Sequence, residues 1–243
     1  MEGDHNLWIV EGGVQSCARG IITCTARLEE VLELAERRLT PPLTILGTEF
    51  DLRQRLLVSD WSLLTVWFYW DSYVRFCSRP FSMHCLHRSQ HLFNVIIQKR
   101  WRLARGWHPK LPRDMIWSSQ QFQLYLQGAG HAEAWEKLIV PGMKEVLVPA
   151  LRSTQELVEV RKGSFELYGA DFTFRENCQP WLLEINTHPS LEPCSTVPRQ
   201  LCAAVLRDAL RLVLDHKENP VCSTSAFDLI YKEVGWGALG WAP

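Results

Sequence analysis

Three features of this 243-residue sequence predict an α+β fold in which an antiparallel sheet is flanked by helices. Within residues 47–76, Gly47 to Val58, Leu63 to Tyr69 and Tyr73 to Phe76 read as three strands of an antiparallel meander. Residues 164–186 hold two aromatic-rich halves, split by the polar run Arg175-Glu176-Asn177-Cys178-Gln179-Pro180, which reads as a β-hairpin. Residues 199–216 carry Leu201, Val205, Leu206, Ala209, Leu210, Leu212 and Val213 at helical spacing, a helix that packs beneath the sheet.

In chain order, Leu7 to Val10 and Ile21 to Cys24 are short strands bracketing a glycine-containing loop at residues 11–20. Such a loop can fold backbone N–H groups over phosphates, or it can be only a turn. Residues 26–38 form a helix with Leu28, Val31, Leu32 and Ala35 on one side, ended by Thr40-Pro41-Pro42. On the next strand Asp51 and Arg53 alternate onto one face. A buried arginine there needs an anion: either a carboxylate of the same sheet, through an Asp51–Arg53 or Asp–Arg75 pair, or a phosphate.

His91-Leu92-Phe93-Asn94 follows, and taken alone it reads as a cap or turn. Residues 98–110 contain five Lys/Arg and no acid, so they either attract glutamate-rich peptides or form a solvated loop. Stacking of that run on single-stranded nucleic acid is disfavoured by its short length in a neutral protein. Residues 118–127 and 131–140 read as short helices. Val146, Leu147, Leu151, Leu157 and Val158, within residues 142–161, read as helical core. The chain divides into residues 1–40, a main domain at 41–217 and a partly disordered tail at 218–243.

Bulk composition narrows the function classes. Net charge is −1, so no global field favours nucleic acid or an anionic membrane. The eight cysteines form no C-x-x-C pair, which argues for reduced thiols in a cytosolic setting. The N-terminus lacks a secretory pattern, and the longest apolar-rich stretch, residues 63–70, is too short to span a bilayer.

The hairpin carries the sharpest chemical signal. With its turn centred near Asn177 and Cys178, Asp171 falls opposite Glu184, and Asn186 shares the Glu184 face. Facing carboxylates repel, whereas a hard divalent cation converts that repulsion into attraction. The alternative is an exposed edge hairpin whose carboxylates meet water.

Tyr-Gly-Ala-Asp-Phe at 168–172 and Trp-Leu-Leu-Glu-Ile-Asn at 181–186 resemble the metal-binding hairpin of the tubulin–tyrosine-ligase-like family, whose fold is ATP-grasp. Pro189-Ser190, Cys194 to Val197 and Arg199 to Cys202 are most similar to its glycine-ligating branch. The resemblance implies an ATP-dependent carboxylate–amine ligase that attaches glycine to glutamate side chains of tubulin through an acyl phosphate. It implies ATP and Mg²⁺ as cofactors, with Asp171, Glu184 and Asn186 as metal ligands and Arg53 and Arg75 as catalytic clamps. Ser16, Arg19, Gly20, Asp51, His91 and Asn94 would contact the nucleotide. Tubulin tails and microtubules would be the partners, glycine the co-substrate, and cytoplasm, cytoskeleton and the ciliary axoneme the setting of a monomeric enzyme.

Departures from the family pattern imply a truncated and partly degenerate member. Glu11 and Glu49 stand where the family has lysines, Cys17 stands for an arginine, and the adenine hinge after residue 38 is not recognisable. Residues 1–40 would be the remnant of a central subdomain, without the family's N-terminal domain. Each like-charge contact with a triphosphate, at ~4 Å and an effective dielectric near 20, costs on the order of 4 kcal/mol. A catalytically impaired, tubulin-binding or regulatory protein is therefore the alternative expectation.

Overall fold

The computed structural model describes residues 8–10, 22–24, 42–82, 108–159, 161, 163–189, 195–219 and 221–234. Strands β1 (Trp8–Val10) and β2 (Ile22–Cys24) pair antiparallel as a two-stranded sheet. The main sheet has seven strands: β3 (Thr44–Ile45), β4 (Thr48–Asp60), β5 (Thr65–Phe76), β6 (Ile116–Ser118), β7 (Glu166–Phe174), β8 (Pro180–Asn186) and β9 (Phe227–Lys232). Its order is β6-β5-β4-β7-β8, with β3 against β4 and β9 against β5, and every pairing is antiparallel. The α-helices among the described residues are α1 (Ser119–Gly128), α2 (Val140–Arg152) and α3 (Thr196–Glu218). A π-helical turn, Trp135–Ile139, runs into α2. None of these helices is long and apolar enough to cross a membrane.

Alternation along the strands separates two cores. Phe50, Leu52, Leu56 and Val58 of β4, Val66, Phe68, Val74 and Phe76 of β5, and Tyr168, Ala170, Phe172 and Phe174 of β7 face one way. They pack against Phe122 and Leu126 of α1, Ile139 of the π-turn, and Met143, Leu147 and Leu151 of α2. Ser118 starts α1 with a reciprocal capping box to Gln121. The opposite face is smaller and more polar. There Leu57, Trp67, Tyr69 and Tyr73 meet Leu201, Val205, Ala209 and Leu212 of α3, together with Phe227. The Tyr69 hydroxyl donates to Asp208 of α3 at 2.8 Å, and Arg55 donates to the Cys202 sulfur at 3.6 Å.

The structure departs from the expected elements in four places. The runs at 63–69 and 73–76 belong to the single strand β5, because Trp70-Asp71-Ser72 holds no glycine or proline to turn the chain. Register passes from Gln54↔Ser72 to Leu56↔Phe68, so the expected turn is a bulge on β5 facing Arg55. The Gln54 amide donates to the Tyr69 and Arg55 carbonyls there, while the Trp70 side chain points outward, 65% exposed.

Of the predicted helical core, Leu147 and Leu151 are buried, but Val146 lies at the surface and Leu157 is 84% exposed. The latter sits in a short 3₁₀ turn whose Gln155 side chain takes the inward place, bonding Trp61 O and Glu233. On α3, Leu206 and Leu210 are also exposed, because the sheet covers only one stripe of the helix. Finally, the region read as tail contributes β9, pinned by Lys144–Asp228 at 2.6 Å and by the Leu64 N–H donating to Glu233 at 3.2 Å.

Candidate active site

The α3 face of the sheet changes from apolar to charged at one end. Asp51 and Arg53 on β4, Arg75 on β5 and Asp171 on β7 all sit there, each less than a tenth exposed. Register places Asp51 opposite Arg75 and Arg53 opposite Asp171. Four charges therefore occupy adjacent positions on three neighbouring strands, in the order Asp51–Arg75–Asp171–Arg53.

Every link of that chain is an ion pair. Arg75 Nε donates to Asp51 Oδ1 at 2.8 Å, and its Nη2 reaches both Asp51 Oδ2 and, at 2.9 Å, Asp171 Oδ2. Arg53 Nη2 donates to Asp171 Oδ2 at 2.8 Å, while its Nε lies against Asp171 Oδ1. The open choice between an Asp51–Arg53 and an Asp–Arg75 pair thus resolves to Asp51–Arg75, with Arg53 taken by Asp171.

Gly169 makes room for this arrangement. A Cβ at that position would lie 2.7 Å from Arg53 Nη1 and 2.9 Å from Pro189 Cβ. A glycine inside a strand marks a close approach of this kind, so this was the sequence signal for a site residue that the hairpin reading left without a role.

The hairpin supplies the remaining donors. Asp171 pairs with Glu184 across β7 and β8, as expected. The Asn186 side-chain amide lies between the two carboxylates, donating to Glu184 Oε1 at 2.8 Å and to Asp171 Oδ2 at 3.3 Å. A donor placed where two carboxylates converge marks the position a cation would take. Turning that amide half a revolution would present Oδ1 instead of Nδ2, giving an all-oxygen set of the kind a hard cation prefers. Among the described residues no three His, Cys, Asp or Glu side chains cluster, so the candidate set is two carboxylates and one amide.

Burial and pairing pull the two buried aspartates apart. Burial pushes the Asp51 carboxyl up to about 6, because Arg75 offsets only part of the desolvation. Burial also acts on Asp171, but Arg75 and Arg53 together outweigh it and hold that carboxyl below the ordinary range. Burial opposes the charge on Arg75, yet Asp171 and Asp51 keep it firmly protonated. The Cys77 thiol is pushed up by burial and then by Glu49 and Asp51, which places the buried Glu49 in the same electrostatic neighbourhood.

Ser16, Arg19, Gly20, His91 and Asn94 lie outside the described residues, as do Glu11, Cys17, the expected helix at 26–38 and most of the basic run at 98–110.

Residues 1–221 match the Tubulin-tyrosine ligase family. The chain belongs to that family. Its α+β, ATP-grasp-like fold is the antiparallel sheet with flanking helices described above. It is similar to the human protein named Tubulin monoglycylase TTLL3, at 49% identity over 96% of this chain and 32% of that protein. The mouse Protein monoglycylase TTLL8 is 38% identical over 96% of this chain and 30% of its own length. The Drosophila melanogaster Tubulin glycylase 3A is 34% identical over 96% of this chain and 25% of its own length. The chain thus spans about a third or less of the length of these relatives.

Proposed function

We propose that this site serves an ATP-dependent ligase that joins glycine to glutamate side chains of tubulin. The observation that carries this reading is the convergence of Asp171, Glu184 and Asn186 across one hairpin, directly beside Arg53 and Arg75. The relatives named as tubulin glycylases favour glycine as the amine and tubulin as the acceptor.

In the reaction, a glutamate carboxylate oxygen attacks the γ-phosphorus of ATP, and ADP leaves. The glycine amine then adds to the acyl carbon, inorganic phosphate departs, and an amide bond remains. Asp171, Glu184 and Asn186 would hold Mg²⁺, which when bound neutralises phosphate charge. Arg53 and Arg75 supply guanidinium forks matched to phosphoryl oxygens, and Asp51 orients Arg75. No protein nucleophile takes part, consistent with the buried Cys77 and Cys178, whose thiols burial pushes up. Ser16, Arg19, Gly20, His91 and Asn94 complete the nucleotide site in this reading. The basic run at 98–110 receives the acidic tubulin tail. The enzyme acts as a monomer on microtubules of the cytoplasm and axoneme, engaging neither membrane nor nucleic acid.

Glu49 favours a second reading. It adds a buried carboxylate to a face that already holds Asp51 and Asp171. Against a triphosphate this lowers affinity, and the chain then acts by binding tubulin without turnover.

One experiment separates the two. Magnesium–ATP at a hundred times its dissociation constant stabilises a binding-competent protein by about 2.7 kcal/mol. With a glutamate-rich tubulin tail peptide and glycine, the ligase yields a peptide heavier by one glycine residue. Absence of both a thermal shift and a product at millimolar ATP would refute the ligase reading; co-sedimentation with microtubules then reports the binding role.

A further inference from the structure

We propose that Arg53 is an exchangeable counter-charge: it holds Asp171 while the site lacks a cation and passes to a substrate phosphate once a divalent cation takes Asp171. Cation and triphosphate then bind with positive coupling. The inference rests on the ligase reading and states how its site is regulated.

The argument begins with the crowding of Asp171. Its two oxygens already meet Arg53 Nε, Arg53 Nη2 at 2.8 Å, Arg75 Nη2 at 2.9 Å and Asn186 Nδ2 at 3.3 Å. With the Asn186 amide turned to present its oxygen, Arg53 Nη2 and Arg75 Nη2 still occupy both lone pairs of Asp171 Oδ2, so a hard cation bound at that oxygen displaces one of the two guanidiniums. The two arginines differ in what displacement leaves them. Arg75 keeps Asp51 through Nε and Nη2, and stays in place. Among the described residues, both ion pairs of Arg53 go to Asp171. Displaced from it, a guanidinium only 8% exposed would be left buried without an anion.

Such an unpaired buried charge is strongly unfavourable, so the displaced Arg53 seeks another anion. Its planar fork suits a phosphate as well as a carboxylate. Arg53 Nη1 lies only 2.7 Å from where a Cβ on residue 169 would be, so Gly169 sets no side chain of β7 against the fork as it changes partner. A cation alone therefore binds against the cost of releasing Arg53, whereas a phosphate supplied with it removes that cost. By linkage, each ligand tightens the other by the same factor.

Arg53→Met separates the two halves of this exchange because its effects have opposite signs. Calorimetric titration of the full chain with MgCl₂ alone is expected to show Mg²⁺ binding about tenfold tighter in the variant than in wild type, since Asp171 is no longer held. Titration with a non-hydrolysable ATP analogue at saturating Mg²⁺ is expected to show binding about tenfold weaker. If wild type binds the analogue but the variant leaves Mg²⁺ affinity unchanged or weakened, the exchange is refuted and the ligase reading stands. If wild type binds no analogue at saturating Mg²⁺, both fall. Should Arg53→Met not fold, Arg53→Lys serves: a point charge holds Asp171 less well than a fork, so the same opposite changes are expected, smaller in size, and their absence refutes the proposal.

Discussion

At the residue scale, the two buried aspartates place opposite demands on pH. Asp51 sits at about 6, above the ordinary 3.8, so the folded state holds its proton where the unfolded chain has lost it. Its contribution is fully present below about pH 4 and is lost as pH rises through about 6; the size is on the order of 3 kcal/mol. Asp171 lies below the ordinary range, so its contribution is present above that range and is lost only in stronger acid. Melting temperature between pH 4.5 and 7 should therefore fall more steeply for wild type than for Asp51→Asn. Equal slopes would show that Asp51 is ionised throughout. From sequence the charged residues were legible but their partners were not, since Arg53 and Arg75 each have an aspartate within reach on a neighbouring strand. Three-strand register decides between them, and no local pattern encodes it.

At the element scale, the facing of Asp171 and Glu184 was expected from a turn centred near Asn177 and Cys178, and the pair does form. The route to it differs. Phe174↔Pro180, Thr173↔Trp181 and Phe172↔Leu182 set a register that, continued, would put Leu183 opposite Asp171. A one-residue bulge at Leu183, which is half exposed, advances β8 so that Glu184 arrives instead. Glu184→Gln should leave this register intact, because an amide of the same shape fills the same ladder position opposite Asp171. The hairpin would persist while Mg²⁺-dependent stabilisation by nucleotide disappears. Retained stabilisation in the folded Glu184→Gln variant would remove Glu184 from the ligand set. Bulges escape sequence reading because they need no special residue, and the break at Trp70-Asp71-Ser72 in β5 reads as a short connection for the same reason. The amphipathic stripes of α2 and α3 were legible, and the excess came from counting Leu206 and Leu210, which the narrow contact with the sheet leaves outside.

At the scale of the whole molecule, the sheet is finished late in the chain. β9 covers the outer edge of β5 along Thr65 to Tyr69 and buries Phe227 against Tyr69, with ring centroids 4.9 Å apart. Removing residues 226–243 should cost at least the burial of Phe227, about 2–3 kcal/mol, and expose a long strand edge. Lower melting temperature together with concentration-dependent association is the expected result. A truncated chain that melts as wild type and stays monodisperse would mean that β9 is dispensable. The family was legible because its motifs fall on the strands that carry the site, whereas this strand gave little signal in a region rich in glycine and tryptophan.

The ladder of alternating charges also bears on how the chain reaches its native pairing. If β4 slipped by one residue against β7, Arg53 and Arg55 would enter the layer now held by Phe50, Leu52 and Phe172, and Leu52 would sit among the carboxylates. A slip by two would either set Asp51 opposite Asp171, carboxylate against carboxylate, or set Arg53 opposite Thr173 without its anion while Arg55 takes Asp171. Both misalignments cost more than they would in a sheet with uniform faces, so the charges favour the native register over its neighbours. The groups arranged for chemistry double as a checksum on assembly.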